Sequence, residues 1–126
     1  MDKKTKIMLE QVLRNNPYNP IILVGLSDDV FENTVVLSAD IDARELNVTT
    51  DWYKKFAPFS NAERVCLQIC GLDKLEKDEQ MKFAGLLKDR RIGSYKLPDN
   101  VQIVILADDL VNISERIKSL ALVWNV

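Results

Sequence analysis

The chain contains no histidine among its 126 residues. Histidine is the usual general base near neutral pH and a common metal ligand, so its absence leaves no convincing nucleophile–base pair and no metal-ligand cluster. Cysteine is scarce as well, with only Cys66 and Cys70 present. They lie four residues apart in an apolar run that reads as a strand, which puts them on one face but about 13 Å apart at ~3.3 Å per residue, too far to bridge. In a helix the same spacing could place both on a metal, but two thiols without histidine make a poor zinc site. Both are expected to be core cysteines, packing as small hydrophobes. No apolar run approaches the ~18 residues of a membrane span. Met1-Asp2-Lys3-Lys4-Thr5-Lys6 leads into a patterned polar–apolar segment and not a secretory apolar core, so no membrane association and a cytoplasmic location are expected. A net charge of -2 gives no bulk attraction to nucleic acid or anionic lipid.

A hydrophobic fraction of 47% and a charged fraction of 29% suit one globular domain over residues 1–126. At this length a fold buries roughly two thirds of its unfolded surface, enough to stand without metal or crosslinks. Met8, Leu9, Val12 and Leu13 recur at helical spacing and predict an amphipathic helix over 3–15. Asn15-Asn16-Pro17-Tyr18-Asn19-Pro20 ends it, because each proline disfavours helix in the residue before it. Continuous apolar runs at 21–24, 34–38, 65–70, 101–107 and about 119–124 predict five buried strands. Five short apolar strands separated by helical or polar segments argue for an α/β layer fold with a mostly parallel sheet.

Asp73 three residues before Glu76, and Asn112 three before Glu115, approximate the reciprocal cap of a helix start. The longest helix is then predicted over 74–90, with Leu75, Phe83, Leu86 and Leu87 on its inner face and Lys77, Lys82 and Lys88 toward solvent. A shorter helix is predicted at 51–57, capped by Thr50, with Trp52, Tyr53 and Phe56 as a core or interface cluster.

The order of these parts resembles the core of AAA+ ATPases, a branch of the P-loop NTPases. Val65-Cys66-Leu67-Gln68-Ile69-Cys70, then Gly71-Leu72-Asp73-Lys74-Leu75, a charged helix, Gly93 to Asn100 and the strand from Val101 to Ala107 are similar to the segment from the Walker B strand to the sensor strand. The resemblance implies a three-layer sandwich around a parallel five-stranded sheet. It also implies that the chemistry is gone. A phosphate loop needs glycines, a lysine and a hydroxyl. After Ile21-Ile22-Leu23-Val24-Gly25 the chain reads Leu26-Ser27-Asp28-Asp29-Val30-Phe31-Glu32-Asn33, with no further glycine, no lysine and three acids. Cys70 and Gly71 stand where the magnesium-binding aspartate and the water-activating glutamate would be, and neither can replace a carboxylate. Asp73 then reads as a helix cap. Asp108 and Asp109 hold the sensor-like position, and Arg116 lies where an arginine finger often stands, with an exposed or salt-bridged arginine as the plainer reading. The nine residues 25–33 are few for a parallel crossover. The family's helical lid has no counterpart in the residues up to Val126.

Three functional readings follow. The preferred one is a non-catalytic AAA+-like module, a pseudo-ATPase that binds no nucleotide or other cofactor. It docks on a protein partner or on another copy of itself, with Trp52, Tyr53 and Arg116 as candidate interface residues. The second is a nucleic-acid-binding accessory protein of a replication, phage or mobile-element system. In that reading Lys88, Arg90, Arg91 and Lys96 contact phosphates and Tyr95 stacks on a base. The third is an enzyme with atypical nucleotide chemistry involving Arg116 or Asp73.

Overall fold

A computed structural model describes residues 2–26, 31–47 and 51–126. Helix α1 is Lys3–Asn15. The Asp2 carboxylate accepts from the Thr5 amide at 2.7 Å, which satisfies one of the free donors of the first turn. At the other end the Asn16 side chain donates to the Val12 carbonyl at 2.9 Å, so the helix stops before Pro17 with both ends capped by side chains. Four strands also fall where their apolar runs predict: β1 at Ile21–Val24, β2 at Thr34–Ser38, β3 at Val65–Cys70 and β6 at Val101–Ala107. The last strand, β7, is Leu122–Asn125. The five form one parallel sheet in the order β2-β3-β6-β1-β7.

Alternation along these strands separates two apolar clusters. Ile22, Leu67, Ile69, Ile103 and Ile105 join one of them, where the helical segments contribute Trp52, Phe56, Phe83, Leu86 and Ile117. Ile21, Leu23, Cys66 and Val104 join the other, against Leu9 and Leu13 of α1. Because successive strand residues point to opposite faces, runs that are buried on both sides carry no polar stripe.

The helical segments depart from the expected pattern where side chains have long-range partners. In place of one helix over 74–90 there is a 3₁₀ turn at Leu72–Lys74, an extended Leu75, helix α4 at Lys77–Gln80, a 3₁₀ turn at Met81–Phe83 and helix α5 at Ala84–Asp89. The break at Leu75 turns its carbonyl toward the Gln80 and Asn112 side chains, which both donate to it. Asp73 therefore caps no helix. Asn112 does not cap one either, since its amide donates to the carbonyls of Asp73 and Leu75. Ser114 caps helix α6, Glu115–Ser119, accepting from the Ile117 amide at 3.3 Å. That helix occupies the start of the expected last strand, so β7 begins three residues later than 119.

Helix α3 is Trp52–Phe56 and runs into a 3₁₀ turn at Ala57–Phe59; Thr50, the expected cap, lies outside the described residues. Two elements carried no sequence signal that we read. One is helix α2, Ala43–Asn47. The other is a hairpin, β4 at Arg91–Ile92 paired with β5 at Tyr95–Lys96, where Gly93 at φ 61° makes the turn. No helix among the described residues is long and apolar enough to cross a membrane.

Candidate functional site

In a parallel sheet all carboxyl ends emerge on one side, and that edge is where open α/β folds hold ligands. Among the described residues, the turn after β3 and the loop after β6 are joined across this edge. Gly71, at φ 85°, lets the chain leave β3 sharply and buries Leu72 completely. The Asp73 side chain, 8% exposed, accepts from the Asp108 amide at 2.9 Å. Lys74 Nζ lies 2.8 Å from Asp108 Oδ2 and 4.0 Å from Asp73 Oδ2. The hydrogen bond with Asp108 raises the Lys74 ammonium above its ordinary pKa. Asp109 accepts from the Val111 amide at 2.9 Å, which tightens the loop onto itself.

Below this pair lies Gln80, with no exposed surface. Its amide nitrogen donates to the Leu75 and Asn112 carbonyls at 3.2 and 2.6 Å, and its oxygen accepts from the Ser114 amide at 2.8 Å. The Gly25 amide donates to the Ala107 carbonyl at 2.9 Å, tying the end of β1 to that of β6. Residues 27–30, part of the segment compared with a phosphate loop, lie outside the described residues. Cys70, expected in the core, is only half-buried because it ends β3 at the sheet's edge, and its sulfur accepts a hydrogen bond from the Gln68 side-chain amide at 3.3 Å. The edge thus presents carboxylates that are already bound to protein amides or to Lys74. Among the described residues no cluster of three His, Cys, Asp or Glu side chains could hold a metal.

The five residues of the basic region divide in two. Arg90 ends α5 in the left-handed region at φ 55°, and its guanidinium donates to the Pro98 and Val101 carbonyls at 3.0 and 2.7 Å. It also lies 5.4 Å from the Tyr18 ring centre, and burial lowers its pKa. Tyr95 stacks on Phe56, with ring centres 6.0 Å apart and planes at 12°, and burial pushes its hydroxyl pKa up. These two side chains hold the hairpin on the body. Lys88, Arg91 and Lys96 are exposed, and Arg91 stands directly across the hairpin from Lys96.

Of the expected interface residues, Trp52 is 5% exposed and its indole N–H donates to the Leu46 carbonyl at 3.1 Å, so it belongs to the core. Tyr53, 53% exposed, and Arg116 are on the surface. Sequence reasoning missed Gln80 and the Lys74–Asp108 pair. Their partners are 32 and 34 residues away, beyond the reach of any local pattern. No protein-family model matches the chain, and no curated protein sequence matches it significantly.

Proposed function

We propose that the chain is a degenerate AAA+-like domain, a three-layer sandwich that acts as a non-catalytic scaffold and docks on a protein partner or on a second copy of itself. The observation that carries this reading is the state of the carboxyl edge. The ends of β3 and β6 are joined by Asp73, Lys74, Asp108 and Asn112 through bonds that commit the polar side chains at this part of the edge to the protein itself. Cys70 ends β3 and Gly71 follows it, where the family has two acids. A fold that retains its sheet while its ligand edge is joined by internal bonds has its outer surfaces left for function.

Calorimetric titration with ATP and ADP in magnesium, combined with light scattering and capture of partners from the native host, tests the reading. It expects no heat at millimolar nucleotide, together with a defined partner or a stable oligomer. Micromolar nucleotide binding would sink it, as would a strict monomer that captures nothing.

A second reading, nucleic-acid binding, is favoured by one feature. Arg91 and Lys96 are like charges placed opposite each other on a solvent-facing pair, an arrangement that costs stability unless an anion lies between or over them. With Tyr95 committed to Phe56, such binding would rest on phosphate contacts alone. Three contacts, including Lys88, would give a logarithmic salt slope of about -2 to -3. Retention unchanged in an Arg91→Glu, Lys96→Glu double variant would dispose of it.

A further inference from the structure

On the α1 side of the sheet, away from the carboxyl edge, lies a cleft of about 460 Å³. Its walls are α1, residues 31–33, and the approaches to β3 and β6; Cys66 and Gln102, adjacent in the β3–β6 register, form its floor. The size is that of a metabolite site.

Charge within it is segregated. Lys6, Glu10 and Arg14 follow one another at intervals of four along α1 and so line one side of the helix. Arg64, half-buried, donates to Glu10 Oε2 at 2.8 Å, and Arg14 lies 3.4 Å from Glu10 Oε1. Two cations, Arg14 and Arg64, therefore hold one carboxylate on this wall, and Lys6 stands one turn before it. Away from α1 stand Glu32, Glu63 and Asp99, none in an ion pair among the described residues. Three cations against four carboxylates leave the cleft near neutrality, which favours neither a simple anion nor a simple cation. Separated charges of both signs favour a ligand that also carries both.

Two groups show how such a ligand would be held. A guanidinium has five N–H donors in a planar fork suited to a carboxylate, and Arg64 uses part of its fork on Glu10 and the Cys66 thiol, which fixes its orientation and leaves further donors. Beside it Gln102, 1% exposed, uses its amide nitrogen on the Leu13 and Asn16 carbonyls at 3.1 and 2.9 Å, while its oxygen has no hydrogen-bond partner among the described residues. A buried acceptor left in this state is unfavourable; the oxygen has almost no accessible surface, so a ligand N–H at the cleft floor satisfies it only as the amide turns toward the cleft. We propose that this cleft binds a small zwitterion of the α-amino acid class, its carboxylate on Arg64 and its ammonium between Gln102 and the facing acids. The proposal is independent of the AAA+ reading and survives or fails without it.

The test is amide NMR of the full chain titrated with the twenty amino acids, with propionate, propylamine and inorganic phosphate as single-charge probes. At least one amino acid should shift the Cys66 and Gln102 amides and bind more tightly than propionate and propylamine by about tenfold or more. Arg64→Lys, which keeps the charge and loses the fork, should weaken that binding by about tenfold. Because Arg64 also holds Glu10, the exposed Glu63→Gln and Asp99→Asn variants provide a second check that leaves the fold alone, and their double variant should weaken the amino acid without changing propionate. No response to any amino acid at about 10 mM, phosphate or propionate binding as tightly as the best amino acid, or full affinity in Arg64→Lys would each overturn the proposal.

Discussion

Gln80 and Arg90 are polar side chains that do the work of backbone. Gln80 replaces the hydrogen bonds lost where the chain unwinds at Leu75, and Arg90 satisfies the carbonyls of Pro98 and Val101 on the way into β6. Neither role has a sequence signature. No local pattern singles out Gln80, and Arg90 reads as one of a run of cations open to phosphate contacts. Arg90 adds a backbone condition, because a φ of 55° is costly for any residue with a Cβ. Two substitutions separate the contributions. Arg90→Gly loses the guanidinium contacts but relieves the backbone, whereas Arg90→Ala loses the contacts and keeps the strain. Urea unfolding should therefore show the alanine variant to be the less stable of the two, by about 1 kcal/mol. Equal midpoints would mean that the left-handed conformation costs nothing here.

At the scale of elements, α1 was legible in the sequence from its apolar spacing and from the proline pair that bars extension, and the Asp2 and Asn16 caps seen in the structure fix its ends locally. Its attachment to the body was not legible. The Arg64–Glu10 contact spans 54 residues and joins the helix to the start of β3. The hydrogen bond from Arg64, opposed by partial burial, holds the Glu10 carboxyl below its ordinary value of 4.5. A carboxyl depressed in the folded state stabilises fully above its unfolded pKa and loses that contribution as pH falls through the folded value. Stability should thus decline below about pH 4.5, and Glu10→Gln should flatten that part of the profile. Thermal melts of both proteins from neutral pH to pH 3 would show it. Parallel curves would mean that the ion pair contributes nothing measurable, as with many partly exposed pairs. The same locality explains the failure at 74–90. The apolar stripe there is real, and Phe83, Leu86 and Leu87 are buried as it requires. The segment unwinds at its start because Asp73, Lys74 and Leu75 find partners on the loop after β6.

For the whole molecule, the strand order leaves β2 and β7 as edges, each with one unpaired side. Unpaired strand edges invite pairing with another chain, and apolar side chains on them add to the hazard. Val36 on β2 is 56% exposed, whereas its neighbour Leu37 is 3% exposed and packs in the larger cluster. Val36→Lys should therefore leave the melting midpoint almost unchanged and reduce aggregation on heating, while Leu37→Lys should prevent folding or cost several kcal/mol, on the order of 4. Reversed effects would mean that β2 presents the other face to the core. If self-association is the function, Val36→Lys also reports whether the β2 edge takes part, because a native oligomer built on it would dissociate.

The sequence by itself determined where four of the five main strands lie, the limits of α1, the burial of Cys66 and the parallel α/β class. All of these depend on patterns confined to a few neighbouring residues: continuous β-branched runs, caps and prolines. Tertiary structure alone decided that Asp73 would bond the Asp108 amide instead of capping a helix. It also decided that Arg90 and Tyr95 would face inward, and that Lys6, Glu10 and Arg14 would border a cleft floored by Cys66 and Gln102. The physical reason is that a charged or amide side chain has several acceptable partners within reach of its local backbone. Which one it takes is settled only when strands distant in the chain are brought side by side, and at the carboxyl edge that choice tied Asp73 and Lys74 to the loop after β6.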